Sequence, residues 1–235
     1  MGTISAFFVK TWRENESDKT YGKSDKVQDE ESVGTKVLNV LRMTKDKNMF
    51  YQAIFALWAG NTEGMYWTTI AAQYKTSQLI AICFLTQAFT SLIVSFILGI
   101  ISDKYGRFVA MSFCLIVAMI TNIFSGIGVD YTGNQSTRWG LLITGAFGFG
   151  CSDFPGQALL RANYQAMYPT DSKKLSDSMA HLLMVLMFGT FTATLIGAVT
   201  HPWVSIILNT VIAFLALIGQ FLLPKHVNRK LEYDT

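Results

Sequence analysis

Between Met49 and Leu223 the chain alternates long apolar runs with short polar breaks. Six runs approach the roughly 20 mostly apolar residues that a helix needs to cross a bilayer. They are Met49–Ala72, Leu79–Ile101, Phe108–Val129, Trp139–Leu160, Met179–Val199 and Trp203–Leu223. The second, third and sixth hold no charged residue. The first and fourth each hold an acid and several glycines, and the fifth has His181 near its start. A backbone in hydrocarbon has no water to bond to, so each run is expected to be helical. The predicted fold is all-α: a polytopic membrane protein with six transmembrane helices over 49–223. A cytoplasmic tail and linker over 1–48 precede them and a cytoplasmic tail over 224–235 follows.

Finer periodicity adds detail. Residues 1–32 are polar and show no repeat, which predicts a disordered tail. Val33, Val37, Val40 and Leu41 then recur at helical spacing among Lys36, Arg42, Lys45 and Lys47. Two readings fit: a short helix on the cytoplasmic membrane face against anionic headgroups, or a solvated linker. Three runs carry small residues at every fourth position: Gly60 and Gly64; Ser91, Ser95 and Gly99; Gly189, Ala193 and Gly197. Such stripes let helix backbones approach in lipid, so they are expected to pack the bundle rather than to touch a ligand.

Charge sharpens this picture. Only 15% of the residues are charged; charges of both signs crowd into residues 10–47 and almost vanish from Met49 to Leu223, whereas a soluble domain spreads charge over its whole surface. No basic cluster interleaved with aromatics marks a nucleic-acid partner. With six spans both termini share a side. That side also receives Lys104, Arg107, Arg161, Lys173, Lys174, Lys225, Arg229 and Lys230, against Lys75 and Arg138 opposite. The positive-inside rule then places both termini in the cytoplasm. This topology puts the sequon at Asn134 outside, as a glycosylation site, and leaves the sequon at Asn15 inside and silent. Cys83, Cys114 and Cys151 lie in apolar runs without metal-ligand spacing, which predicts buried thiols and no metal. No nucleophile and base stand together, no cofactor motif occurs, and the N-terminus does not read as a signal peptide, so an enzyme is not expected.

The second and third runs are joined by Ser102-Asp103-Lys104-Tyr105-Gly106-Arg107. With Gly99 this forms Gly99-x-x-x-Asp103-x-x-Gly106-Arg107, which resembles the motif between the second and third helices of each six-helix half of the major facilitator superfamily. Gly99 admits a neighbouring helix, Gly106 permits the turn, Asp103 can pair with a cation and Arg107 can hold the adjacent loop. The four residues are candidates for a cytoplasmic latch.

The surrounding sequence is similar to one branch of that superfamily, the uncoordinated ninety-three family. "TKDKNMFYQAIFALWAGNTEGMYWTTIAAQYKTSQ" looks like its linker and seventh helix, and "GAFGFGCSDFPGQALL" like its tenth-helix signature, matched at Gly148, Gly150, Ser152, Phe154 and Gln157. The family's acid position is Cys151 here, with Asp153 two residues later; its Thr is Gly156, and Pro155 is a further departure. The resemblance covers about residues 33–223. It implies the C-terminal half of a twelve-helix protein, with 1–48 equivalent to the central cytoplasmic loop. It also implies a non-enzymatic regulator of potassium channels or an escort of membrane receptors, in the plasma membrane or an endomembrane. A solute or ion transporter working by alternating access is the alternative.

Carboxylates at mid-membrane cost on the order of 2.5–3.5 kcal/mol on insertion scales, so Glu63 and Asp153 each need a reason. Glycines and Pro155 are expected to break or kink the fourth run around Asp153, as at the midplane sites of transporters. Asp153, Gln157 and Arg161 fall on one stripe, and with Glu63 they are candidates to line an intramembrane cavity. Alternatively, Asp153 and Arg161 neutralise each other structurally. His181 is expected at the cytoplasmic interface. Beyond the lipid bilayer, the expected partners are an ion channel or membrane receptor and a second six-helix half or a second copy of the chain, because six helices alone expose a face meant for another half.

Overall fold

The computed structural model describes residues 33–73, 76–168 and 171–223. The predicted tails over 1–32 and from Pro224, the Asn15 sequon and Lys75 lie outside the described residues. Within them every regular element is helical. Helix α1 is Val33–Met43. Helix α2, Lys47–Met65, continues through a wide turn, Tyr66–Ile70, and a tight one, Ala71–Gln73. The others are α3 Ser77–Tyr105, α4 Arg107–Asp130, α5 Gln135–Met167, α6 Ser172–Val199 and α7 Pro202–Leu222.

Local chemistry sets the ends. Asp46 caps α2 through the amides of Asn48 and Met49, Thr76 caps α3, and Asp171 caps α6, each carboxylate or hydroxyl accepting from otherwise orphaned N–H groups. Pro202 opens α7, where its missing N–H costs nothing. Each predicted apolar run coincides with one of α2–α7. Four of these, α3, α4, α6 and α7, are long and apolar enough to cross a membrane.

The packing explains why α2 and α5 are less apolar. α5 packs on α3 and α4, α2 packs on α6 and α7, α2 and α5 touch each other, and α4 touches α7. Exchanging α2–α4 for α5–α7 leaves this pattern unchanged. α2 and α5 therefore lie inside, and α3 and α6 flank them. Twelve of the nineteen residues of α2 are buried, but only seven of the twenty-nine of α3. One apolar core, around Phe55, Trp58, Met111, Leu115, Leu160 and Leu182, joins α2, α4, α5 and α6; a second stacks Tyr66 on Phe149 at 4.0 Å between ring centroids.

Two of the three small-residue stripes face each other and close the α2–α6 seam. A side chain at Gly60 would overlap the backbone carbonyl of Leu186. One at Gly64 would come within 2.5 Å of Thr190 O, and one at Gly189 within 2.6 Å of Leu57 O. The third stripe does not pack this way: Gly99 has nothing within 4 Å of where its Cβ would stand. The close approach of α3 to α5 occurs instead where Gly150 meets the backbone of Gln87.

The fourth run, expected to break or kink around Asp153, does not break. α5 is continuous from Gln135 to Met167 with Pro155 inside it. Pro155 cannot donate to the carbonyl of Cys151 one turn back. The Cys114 thiol of α4 faces that carbonyl, Sγ to O 3.8 Å. A neighbouring helix thus covers the gap, as buried prolines in membrane helices require. The irregular turn lies instead in α2, at Tyr66–Ile70.

Candidate functional site

The six-residue hinge of the latch motif shrinks to one residue. Ser102–Tyr105 finish α3, Arg107 starts α4, and Gly106 alone separates them. Its φ of 91° and ψ of 157° belong to a region essentially reserved for glycine, and its N–H donates to Ser102 O at 2.9 Å. Arg107 reaches the end of α5: Nη1 donates to Ala162 O at 3.1 Å, with Asn163 Oδ1 at 3.5 Å. Asn163 is itself buried and its amide faces Met111 Sδ at 2.9 Å. Asp103 is exposed and forms no ion pair among the described residues. Arg107 therefore ties α4 to α5, with Asp103 near enough to act on it as an opposite charge, while Gly99 stands outside that tie.

The two candidate acids differ in burial. Asp153 is 2% exposed and accepts from Gln157 Nε2 at 3.0 Å. Glu63 is half-buried and close enough to act on Asp153 as a like charge. Arg161 is exposed and makes no ion pair with Asp153, so mutual neutralisation is not the arrangement. Gln157 and Arg161 instead line a groove of about 530 Å³ between α3 and α5, with Ser91, Leu92, Ser95 and Phe154. Asp153 lies behind that groove, reached through Gln157.

A neutral polar seam that charge-based reasoning passed over runs through the interior. Thr62 Oγ1 donates to Trp58 O at 2.8 Å and also lies 3.1 Å from Asn209 Oδ1 of α7. Asn122 Nδ2 donates to Thr210 Oγ1 at 3.3 Å, joining α4 to α7. Asn209 Nδ2, Ser205 Oγ and both amide atoms of Gln52 are buried without a partner among the described residues. Thr62, Thr121, Asn122, Ser125 and Ser152 border a cavity of about 10 Å³, room for one water at most. The available signal was an amide or hydroxyl recurring inside nearly every apolar run.

A second unpredicted feature is a clasp at the basic end. His181 is fully buried: its Nε2 lies 3.1 Å from Thr44 Oγ1 and its Nδ1 3.4 Å from the Tyr164 hydroxyl. The Tyr168 hydroxyl donates to Asp46 Oδ2 at 3.0 Å. Burial, then the bond and charge of Asp46, push the Tyr168 phenol up to about 12. The Lys174 amide holds the Asp171 carboxyl below its ordinary range. At the opposite end the Trp203 indole donates to Asp130, and Arg138 Nε donates to Gly128 O at 3.2 Å. Asn134 is exposed there and caps α5 through Ser136 N at 3.0 Å. The three cysteines are buried and none forms a disulfide.

These features define an all-helical protein with the make-up of an integral membrane protein: four membrane-competent helices around a polar-seamed interior. No family model matches this chain, and none of the curated proteins compared with it is a match.

Proposed function

We propose that the chain is a non-enzymatic multi-pass membrane protein built as one six-helix half of the major facilitator architecture, related to the uncoordinated ninety-three family. In this reading it regulates an ion channel, such as a potassium channel, or escorts a membrane receptor. The observation that carries it is the exposed apolar face of the flanking helices. α3 turns Leu85, Phe89, Leu92 and Phe96 outward, and α6 turns Met187, Phe188 and Phe191 outward. The interior meanwhile is closed by glycine seams and side-chain hydrogen bonds. The exchange symmetry of α2–α4 with α5–α7 supports the architecture, because three-plus-three repeats are nested within each half of such proteins. α2 and α5 are then the fifth and sixth spans, with their weaker hydropathy explained by burial. Both termini and the Gly106 junction face the cytoplasm, as the Lys/Arg asymmetry argues. The α3 and α6 faces would meet the channel or receptor, a second six-helix half, or a second copy of the chain.

Co-expression tests this reading. Potassium currents or receptor surface levels should change when the chain is present, and Phe89→Ala/Phe96→Ala on α3 should abolish the change without lowering expression. Unchanged currents and surface levels across the candidate partners would remove the regulator.

The alternating-access carrier is favoured by a separate observation, the buried Asp153 beside Glu63 with no cationic partner among the described residues. Reconstituted chain should then support ion-coupled uptake that Glu63→Gln or Asp153→Asn abolishes. Absence of uptake by the parent chain would remove that reading.

A further inference from the structure

Helix α1 sits outside the apolar cores. None of its residues is buried. Asn39, Val40 and Met43 are half-buried, and Met43 packs against the main core, which fixes the inward side of the helix. The outward side carries Val33, Val37, Leu38 and Leu41, exposed by 79%, 53%, 46% and 50%. At the ~100° advance per residue of an α-helix, those four span an arc that Arg42 borders on one side; on the other side Val40 and then Lys36 follow. An exposed apolar arc with a cation beyond each edge, on the side of the helix that none of the described residues covers, is the make-up of an in-plane membrane helix.

The setting favours that occupant over another protein. Thr44, Lys45 and Asp46 join α1 directly to α2 at the end of the bundle where Lys104, Arg107, Lys173 and Lys174 also gather. The four membrane-competent helices α3, α4, α6 and α7 suit the bundle to a bilayer, and α1 is joined to that bundle at the end just named. Cations at that level match anionic headgroups. The short connection is also anchored, because Thr44 meets His181 of α6 and Asp46 meets Tyr168 just past α5.

We propose that α1 is a membrane-surface arm that lays Val33, Val37, Leu38 and Leu41 into an anionic leaflet, with Lys36 and Arg42 at phosphate level, and that the Thr44–His181 and Asp46–Tyr168 bonds hold its root against α5 and α6. This rests on membrane embedding alone, whether the chain regulates a partner or carries a solute. The arm responds to lipid charge, and its seat is transmitted to the two helices that hold its root.

The full chain carrying Val37→Cys, or Asn39→Cys as the inward control, would be labelled with an environment-sensitive fluorophore. It would then be reconstituted in vesicles of phosphatidylcholine alone or mixed with phosphatidylserine; unlabelled-site background is read from the parent chain. With phosphatidylserine, the Val37 probe should shift to the blue and be quenched by chain-brominated lipid, well beyond the Asn39 probe. Raised salt should reverse the shift. Lys36→Gln/Arg42→Gln should lower the seated-to-free ratio roughly thirty-fold, two cations each acting near a charged surface. A Val37 probe that stays water-like in both vesicle types overturns the proposal. So does a shift that ignores phosphatidylserine, or one already present in detergent and growing with protein concentration, which would assign the face to a second copy. If the double variant fails to fold, the contrast between vesicle types in the parent chain decides.

Discussion

α2 and α3 follow each other in the chain and are built on opposite plans. α2 buries Gln52, Asn61 and Thr62 and presents glycines to α6, whereas most of α3 faces outward with Ile, Leu and Phe. The same division separates α5 from α6. Lipid is as apolar as leucine, so an outward helix needs only grease. An inward helix needs closeness and satisfied polar groups instead, and so it becomes less hydrophobic as it becomes more buried. Hydropathy therefore reports contact with lipid, and it understates the helices that hold the bundle together.

The strongest way to break this contrast is to enlarge the α2–α6 seam. Gly60→Val should cost about 3 kcal/mol, the upper end of overpacking penalties, because the obstacle is the carbonyl of Leu186 and a backbone cannot step aside. Thermal unfolding in mild detergent, followed by the loss of the monodisperse peak, would read it; an unshifted midpoint would refute the seam. Gly106→Ala should cost about 1–3 kcal/mol, since its φ of 91° excludes a Cβ without strain. Thr62→Val should cost about 1–2 kcal/mol by leaving buried Asn209 unpaired, while Asn209→Leu, which removes the needy group itself, should be nearly neutral. Equal losses for the two would mean the pair is not the unit that matters.

On the outward side the sign reverses. Gly99→Ala should stabilise by about 0.5–1 kcal/mol, because nothing occupies the space and alanine favours the helix; a destabilised variant would place a neighbour against α3. The smallest effects are those of pH at the basic end. Asp171 has a lowered folded pKa, so its cap contributes above the ordinary carboxylate range and is lost as pH falls through the folded value. Tyr168 has a raised one, so its contribution is complete below the ordinary phenol range and is lost as pH rises toward about 12. Hydrogen exchange at the start of α6 should rise in acid, and Tyr168→Phe should abolish only the alkaline change.

The six apolar runs were legible because each is longer than any soluble core requires, and the α2–α6 stripes because glycine at every fourth position has little other use in a membrane helix. The Ser91-Ser95-Gly99 stripe has the same spacing but lines a groove and leaves the space beside Gly99 empty, so periodicity alone does not say which stripes close a seam. The continuity of α5 through Pro155 has a tertiary reason: the Cys114 thiol that faces the freed carbonyl lies 37 positions away in sequence. The burial of His181 was hidden for the same reason, since its partners Thr44 and Tyr164 come from two other parts of the chain. The amide seam was written in the sequence as isolated Asn, Gln and Thr, but their pairing depends on which helices adjoin.

The junction at Gly106 has a mechanical consequence. A loop is slack, and slack lets two rods slide. α3 and α4 share a single residue of tether, and α6 and α7 only Thr200 and His201, whereas four residues separate α4 from α5. Neither tightly joined pair can shear lengthwise without rotating about a handful of backbone bonds, so each behaves as one stiff fork. Any rearrangement of the bundle must then be taken up between the forks, where α2 and α5 stand.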